Sequence, residues 1–218
     1  LVASFVPAGA RLLDVGSDHA YMPIALLQEG KIEAAIAGEV VEGPYQSALQ
    51  NVADNGLEDK IEVRLANGLA AFEPADGISC ITIAGMGGRL IADILAAGLE
   101  KLANVSRLVL QPNNREDELR AWLVDHDFRI VDEAILEENE KFYEILVVEQ
   151  GSQELTAMEL RFGPYLMREQ APAFVQKCSK EVEKLAFALE QVPVENQSAR
   201  ASLEERIAQI KEVLNASK

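Results

Sequence analysis

Two rhythms of hydrophobic and polar positions follow each other along this chain. The first consists of short apolar runs that end on small or polar residues: Leu12 to Val15, Glu33 to Val40, Ile61 to Leu65, Gly77 to Ala84 and Leu108 to Leu110. Each reads as a buried strand. Between them lie segments with helical spacing. Ile24 to Gln28 is the first, and Gly43 to Gly56 the second, with Tyr45, Leu49 and Val52 on one side and Asn55-Gly56 as a stop. Arg89 to Ala103 and Arg115 to Val124 follow, the latter with Leu119, Trp122 and Leu123 predicted to face inward. Strands alternating with helices at this pitch predict an α/β domain built on a doubly wound parallel sheet. The pattern changes at Phe128. Phe128 to Leu136 and Phe142 to Glu149 are strands joined by Glu137-Glu138-Asn139-Glu140-Lys141, with no room for a helix, which predicts an antiparallel hairpin. Alternating units closed by such a hairpin are the layout of a Rossmann-like methyltransferase fold, a likeness of fold alone.

Beyond Gly151 the strands stop. Leu155 to Glu169 has helical spacing interrupted by Gly163-Pro164. Cys178, Val182, Leu185 and Leu189 repeat at coiled-coil intervals, as do Leu203, Ile207, Ile210 and Leu214 after a break at Val192-Pro193. The expectation is a domain over residues 1–150 and an all-α, coiled-coil-like hairpin domain over 151–218.

Charge divides the chain in the same place. Of 218 residues, the first 150 carry 26 acidic and 11 basic side chains, the remainder 10 and 9. A net charge of −16 argues against indiscriminate nucleic-acid binding, which depends on Lys and Arg. If a polyanion binds, the second part must attract it. The two cysteines, Cys80 and Cys178, lie far apart without metal-like spacing; no metal site is expected, and a reducing cytoplasm is the default. No run of about 18 apolar residues suggests a membrane span. The sequence opens on Leu1, with no methionine and no visible signal peptide.

The most informative stretch is Leu12-Leu13-Asp14-Val15-Gly16-Ser17-Asp18-His19-Ala20-Tyr21. It reads as strand, tight turn and helix start, the place where open α/β sheets bind ligands. Gly16 permits close backbone approach, whereas Asp14 and Asp18 make a phosphate a poor guest. A cationic or neutral ligand suits it better, and S-adenosylmethionine has a sulfonium, an amino group and ribose hydroxyls. Glu39 ends the second strand, where a carboxylate can accept from two ribose hydroxyls or else be a solvated loop residue. Asn67 follows the third strand as an adenine-edge contact or a turn residue. Gly85-Met86-Gly87-Gly88 follows the fourth strand; G-x-G-x-x-G fails at Leu90, which weakens a nicotinamide reading.

Taken together, Leu13-Asp14-Val15-Gly16-Ser17-Asp18-His19-Ala20-Tyr21, Ala84-Gly85-Met86-Gly87-Gly88, Leu110-Gln111-Pro112-Asn113 and Phe142-Tyr143-Glu144-Ile145 resemble the bacterial TrmK family over the whole chain. The resemblance implies S-adenosylmethionine-dependent methylation of N1 of the adenine at position 22 of tRNA. It also implies cofactor contacts at Asp14, Gly16, Asp18, Glu39, Asn67 and Gly85, with His19 and Met86 as further candidates. Ser17, Val40, Gly68, Ala84 and Gly87 adjoin them in the same loops and complete the candidate lining. Two departures stand out: Asn67 occupies a position where relatives often carry aspartate, and the further helix that usually precedes the first strand is not seen before Leu12.

Adenine N1 carries a lone pair, so no general base is required, and the product ring is cationic. Alignment and acceptors near the base are what the reaction needs. Asp18 is the candidate for electrostatic support, and Gln111 and Asn113 for contacts to the adenine edge. The Asn-Pro-Pro-Tyr sequence of amino-group methyltransferases is missing after the fourth strand. His19 is read as lining the cofactor rather than shuttling protons, and Tyr21 as packing between sheet and helix. For RNA, Lys177, Lys180 and Lys184 form a stripe, with Arg161, Arg168 and Arg115 as further candidates; without the resemblance the stripe reads as a solvated face. The expected partner is tRNA, without DNA or membrane, and the oligomeric state is open. The alternatives are a small-molecule methyltransferase with a helical lid and a non-catalytic interaction protein with a vestigial pocket.

Overall fold

A computed structural model describes residues 1–216. Seven strands form one sheet in the order β3-β2-β1-β4-β5-β7-β6: β1 (Ala10–Val15), β2 (Ile32–Glu39), β3 (Ile61–Leu65), β4 (Cys80–Met86), β5 (Arg107–Pro112), β6 (Phe128–Glu138) and β7 (Lys141–Gln150). The first five pair in parallel, and β7 pairs antiparallel with β5. The winding reverses between β1 and β4, so the crevice that such sheets use for ligands opens at the carboxyl ends of those two strands. Leu12, Leu13, Ile81, Ile83, Val109 and Leu110 are buried in the middle of the sheet, each stabilising it by about 1.5–3 kcal/mol. Cys80 sits among them, and burial pushes its thiol up to about 12, as befits a small core residue.

Helices α1 (Tyr21–Gln28), α2 (Glu42–Asp54), α3 (Gly88–Ala96) and α4 (Glu116–Asp125) connect the strands. Three of them depart from the pattern read from sequence. In α2 the inward positions are Ala48 and Val52, while Leu49 is exposed. The helix predicted to reach Ala103 stops at Ala96, and a 3₁₀ turn, Leu99–Asn104, follows Gly98, whose Cα lies so close to Leu69 that a side chain there would collide. In α4, Arg120 is wholly buried, whereas Trp122 is half-buried and stacks on His126 at 4.1 Å. β6 and β7 run longer than predicted because Asn139 and Glu140, both with positive φ, make a tight two-residue turn that matches the strand twist.

By internal contacts the chain forms two compact units, residues 1–132 with 145–154, and residues 133–144 with 155–218. A single boundary after residue 150 therefore assigns the far part of the hairpin differently. The reason lies in its apolar side chains: Ile135 and Phe142 belong to the core of the helical unit. That core is completed by Phe162 of α5 (Ala157–Phe162), Leu166 of α6 (Pro164–Glu169), Phe174, Cys178 and Leu185 of α7 (Pro172–Gln191), and Ile210 and Val213 of α8 (Gln197–Asn215). Thr156 and Glu159 cap α5 reciprocally, Thr156 Oγ1 accepting from the Glu159 amide at 3.2 Å. The α7–α8 hairpin forms as the spacing predicts, with Val182, Leu203, Ile207 and Leu214 partly buried along it. No helix among the described residues is long and apolar enough to cross a membrane.

Candidate functional site

Asp14 is the penultimate residue of β1, in register with Thr82 of β4. Its carboxylate is buried and accepts two hydroxyl hydrogen bonds at 2.6 Å, from Ser17 Oγ to Oδ2 and from Thr82 Oγ1 to Oδ1. Burial raises its pKa above the ordinary carboxylate value; the two hydroxyls pull it back down, and Glu39 adds to the rise. Gly16 then turns the chain with φ +67°, a region that crowds any Cβ against the following carbonyl, and a Cβ there would also lie 2.5 Å from Met86 Cε. The methionine tip could move, so the backbone angle is the firmer reason for glycine. The same contact shows that the turns after β1 and β4 meet at the point where the winding reverses.

The next three residues are unusual. Asp18, His19 and Ala20 all have positive φ, at 46°, 72° and 61°. Each such L-residue costs roughly 1–2 kcal/mol, so the surroundings must hold this loop in place. The amides of Asp18 and His19 donate to the Glu39 carboxylate, and Asn51 Nδ2 donates to the His19 carbonyl at 3.0 Å. Glu39 ends β2 and is only 5% exposed, yet its Oε1 is buried with no hydrogen-bond partner. Burial raises its pKa, opposed by the two amides. The Asp18 carboxylate is 84% exposed, and His19 Nε2 lies 3.4 Å from its Oδ1. Tyr21, predicted to fill the sheet–helix interface, is instead 64% exposed, because the left-handed triplet turns it outward at the first position of α1; its ring lies 5.6 Å from that of His19. Val40, just beyond Glu39, is also exposed.

Two adjoining loops, after β4 and β5, are locked together. Gln111 is buried: its Oε1 accepts from the Gly85 amide at 2.9 Å, and its Nε2 donates to Pro112 O at 2.8 Å and Asn113 Oδ1 at 3.2 Å. Asn113 Nδ2 donates to Gly85 O at 2.7 Å, and its own amide donates to Met86 O, also at 2.7 Å. Gly88 faces this pair of loops so closely that a Cβ would lie 2.5 Å from Arg115 O and 2.9 Å from Asn114 O. Both amides expected to face a base are therefore engaged in holding the irregular end of β4, Ala84, Gly85 and Met86, and the turn at Gly87. No feature of the sequence marked Gln111 or Asn113 as supports of β4, since their partners there are backbone groups distant in the chain.

After β3, Asn67 is exposed and starts a 3₁₀ turn, Gly68–Ala71, without capping it through its side chain. Asn67, Gly68, Leu69 and Ala70 form one wall of a groove of about 370 Å³, and Leu90, Asp93, Ile94 and Ala97 the other. A second cavity of about 390 Å³ lies at the opposite end of the sheet, around Arg11, Lys60, Glu62 and Asp76, remote from these loops. Among the described residues there is no cluster of His, Cys, Asp and Glu that could hold a metal ion.

The basic candidates differ in how far they are engaged. Lys177 Nζ donates to the buried Glu144 carboxylate at 2.6 Å, and Arg161 pairs with Glu181 at 3.0 Å, donates to Gln209 and lies over the Phe162 ring. Lys180 lies over the Phe142 ring at 5.1 Å, and Arg168 over Tyr165 at 4.4 Å with most of its side chain exposed. Lys184 is exposed. In the other unit, Arg115 precedes α4 with positive φ and pairs with Glu118.

Comparison with known proteins gives the same fold and a family. A family model described as tRNA (adenine(22)-N(1))-methyltransferase matches residues 12–212. The Bacillus subtilis tRNA (adenine(22)-N(1))-methyltransferase is 38% identical over 225 aligned positions, covering 98% of this chain and 94% of that protein. A Streptococcus pneumoniae protein of solved structure is 66% identical and superposes with a TM-score of 0.96, covering 98% of this chain and 96% of that one. Its structure in complex with S-adenosyl-L-methionine superposes at 0.91, at 65% identity with the same coverage.

Proposed function

Because this chain belongs to the TrmK family of tRNA (adenine(22)-N(1))-methyltransferases, we propose a working assignment of its strand-end cleft. The protein is an S-adenosylmethionine-dependent enzyme that methylates N1 of adenine 22 in tRNA. The observation that carries the assignment of residues is Glu39 Oε1, a buried acceptor without a partner beside the turn after β1. A bare carboxylate oxygen costs free energy in the free protein and is relieved by a hydroxyl donor. The cofactor's ribose supplies such donors, which supports Glu39 as its ribose acceptor.

Asp14, already satisfied by Ser17 and Thr82, then acts as a negative wall of the crevice and as the brace of the Gly16 turn. Gly16 and Gly85 bring backbone close to the cofactor, with Ser17, His19, Val40, Gly68, Ala84, Met86 and Gly87 as neighbouring lining, and Asn67 would face its adenine. Bound S-adenosylmethionine supplies a methyl group on a sulfonium sulfur. What remains for the protein is to orient adenine N1 and to offset the positive charge that develops in the ring. Asp18, with its exposed carboxylate, is suited to the second task. Gln111 and Asn113 serve the first through the Gly85–Met86 loop they hold, and Asn113, exposed at the same time, retains a surface for the base. No residue need remove a proton before the new bond forms.

For tRNA contact the exposed Lys184 is better placed than Lys177 and Arg161, whose charges are paired in half-buried positions; Arg168, paired with Glu169 at 3.4 Å on the surface, ranks next, and Lys180 and Arg115 are secondary candidates. A tRNA substrate also favours a cytoplasmic enzyme. The test is methyl transfer from labelled S-adenosylmethionine to unmodified bacterial tRNA carrying adenine or guanine at position 22. Label recovered as 1-methyladenosine from the adenine form alone is the expected result. Cofactor binding without label on either tRNA would overturn it and favour a small-molecule acceptor or a non-catalytic role.

A further inference from the structure

The left-handed run Asp18-His19-Ala20 is disfavoured by its own sterics and is gripped from two sides. From β2, Glu39 accepts the amides of Asp18 and His19. From α2, Asn51 Nδ2 donates to the carbonyl of His19, and Asn51 is itself built into a chain of amides: Asn55 Nδ2 donates to Asn51 O at 2.8 Å, and Gln28 Nε2 donates to Asn55 Oδ1 at 2.8 Å. That chain ties the last turns of α1 and α2 to the loop. The carbonyl of His19 belongs to the peptide that joins it to Ala20, so anchoring it fixes ψ of His19 and prevents the peptide from flipping to the extended form.

We propose that Asn51 is a positioning residue for cofactor binding: by pinning the His19 carbonyl it keeps the Asp18 and His19 amides on one side of Glu39 and leaves Oε1 free for the ribose. This rests on the reading of Glu39 given above. It assigns a task to a side chain on the second helix that is neither at a strand end nor in any of the glycine loops. If the anchor is lost, the loop relaxes, Glu39 rotates with the amides it has lost, and the acceptor is no longer held where the cofactor meets it. The effect falls mainly on cofactor affinity, with a smaller effect on the chemical step through Asp18 in the same loop.

The experiment compares wild type, Asn51→Ala, Asn51→Asp and the double variant Asn51→Ala/Ala20→Gly. Kd for S-adenosylhomocysteine is measured by calorimetry, and kcat and both KM values with tRNA, after circular dichroism and melting establish that each variant is folded. Loss of one neutral hydrogen bond raises Kd and the cofactor KM by about three- to tenfold, with a smaller fall in kcat and the tRNA KM unchanged. Asn51→Asp, which has the same shape but no donor, is at least as impaired, and it carries the test if the alanine variant fails to fold. Glycine adopts positive φ without crowding, so adding Ala20→Gly recovers part of the lost affinity. A direct contact between Asn51 and the cofactor would show no such recovery, and that result overturns the proposal, as does an unchanged Kd in either single variant. A wild-type protein that binds no S-adenosylhomocysteine defeats the functional reading itself, and the role of Asn51 with it.

Discussion

Glu39→Gln should move cofactor affinity and ligand-free stability in opposite directions. The side chain is 5% exposed, the Asp18 and His19 amides favour its charged form, and Oε1 is bare. Glutamine preserves the shape, and its oxygen can still accept from the two amides. Its amino group then stands where the bare oxygen stood, presenting donors to ribose hydroxyls that need an acceptor. The loss is at least one charge-assisted hydrogen bond, about 1.5–3 kcal/mol, or roughly a ten- to 150-fold weaker Kd for S-adenosylhomocysteine. Stability follows another course. Burial holds the Glu39 pKa above its ordinary value, so the folded protein binds this proton more tightly than the unfolded chain does. Its contribution is therefore most favourable below the unfolded value and declines as pH rises through the raised one. Glutamine has no proton to lose. The variant should match the wild type near pH 4.5, exceed it in stability at pH 8, and show a flatter dependence between. Calorimetric titration with S-adenosylhomocysteine and urea denaturation across that range read both quantities. An affinity within twofold of wild type would refute the ribose assignment, and an unchanged pH slope would refute the account of the buried charge.

Gly88→Ala forces a Cβ against the carbonyls of Asn114 and Arg115, neither of which can move without its loop, so Tm should fall by about 3–10 °C in calorimetry, with a loss of kcat. Asp76 is held down at about 2, chiefly by its hydrogen bonds to Arg64, so its contribution is present above the ordinary carboxylate value and lost as pH falls toward 2. Asp76→Asn should accordingly be less stable than wild type at pH 7, with the gap closing by pH 2.5 in denaturation experiments. Lys177→Ala removes the ion pair to the buried Glu144 and should lower Tm more than it lowers tRNA affinity. Lys184→Ala should do the reverse, leaving Tm unchanged and flattening the salt dependence of tRNA binding by about one phosphate contact.

What the sequence made visible were features decided within a few residues of themselves. The strand ending at Asp14-Val15, the turn at Gly16, the break at Gly163-Pro164 and the seam of the last two helices each follow from local pattern and are found where that pattern puts them. The misplaced features depend on residues distant in the chain. The third helix ends early because Gly98 meets Leu69, and Leu49 is exposed because Ala48 makes the inward contact. Tyr21 reads as a core residue from its neighbours and is turned outward by three backbone angles that no residue type there announces, since none of the three is glycine. Lys177 reads as one of three equivalent charges until Glu144, on the hairpin, neutralises it.

The same distinction explains why a polar residue near the site need not touch the substrate. Gln111 and Asn113 are of the types that read a base edge, yet four of their hydrogen bonds go to backbone groups of Gly85, Met86 and Pro112. Transfer to a nitrogen that already carries its lone pair asks for alignment more than for proton transfer, and alignment is what a locked loop provides. Their engagement is thus compatible with a strong effect on rate, acting through the position of the β4 loop. Glu39 is the contrasting case: two backbone amides hold it, and one oxygen has been left out of the arrangement. Beside a loop strained by three consecutive left-handed residues, a buried acceptor with no partner is the feature hardest to explain by folding alone, and the easiest to explain by a bound hydroxyl.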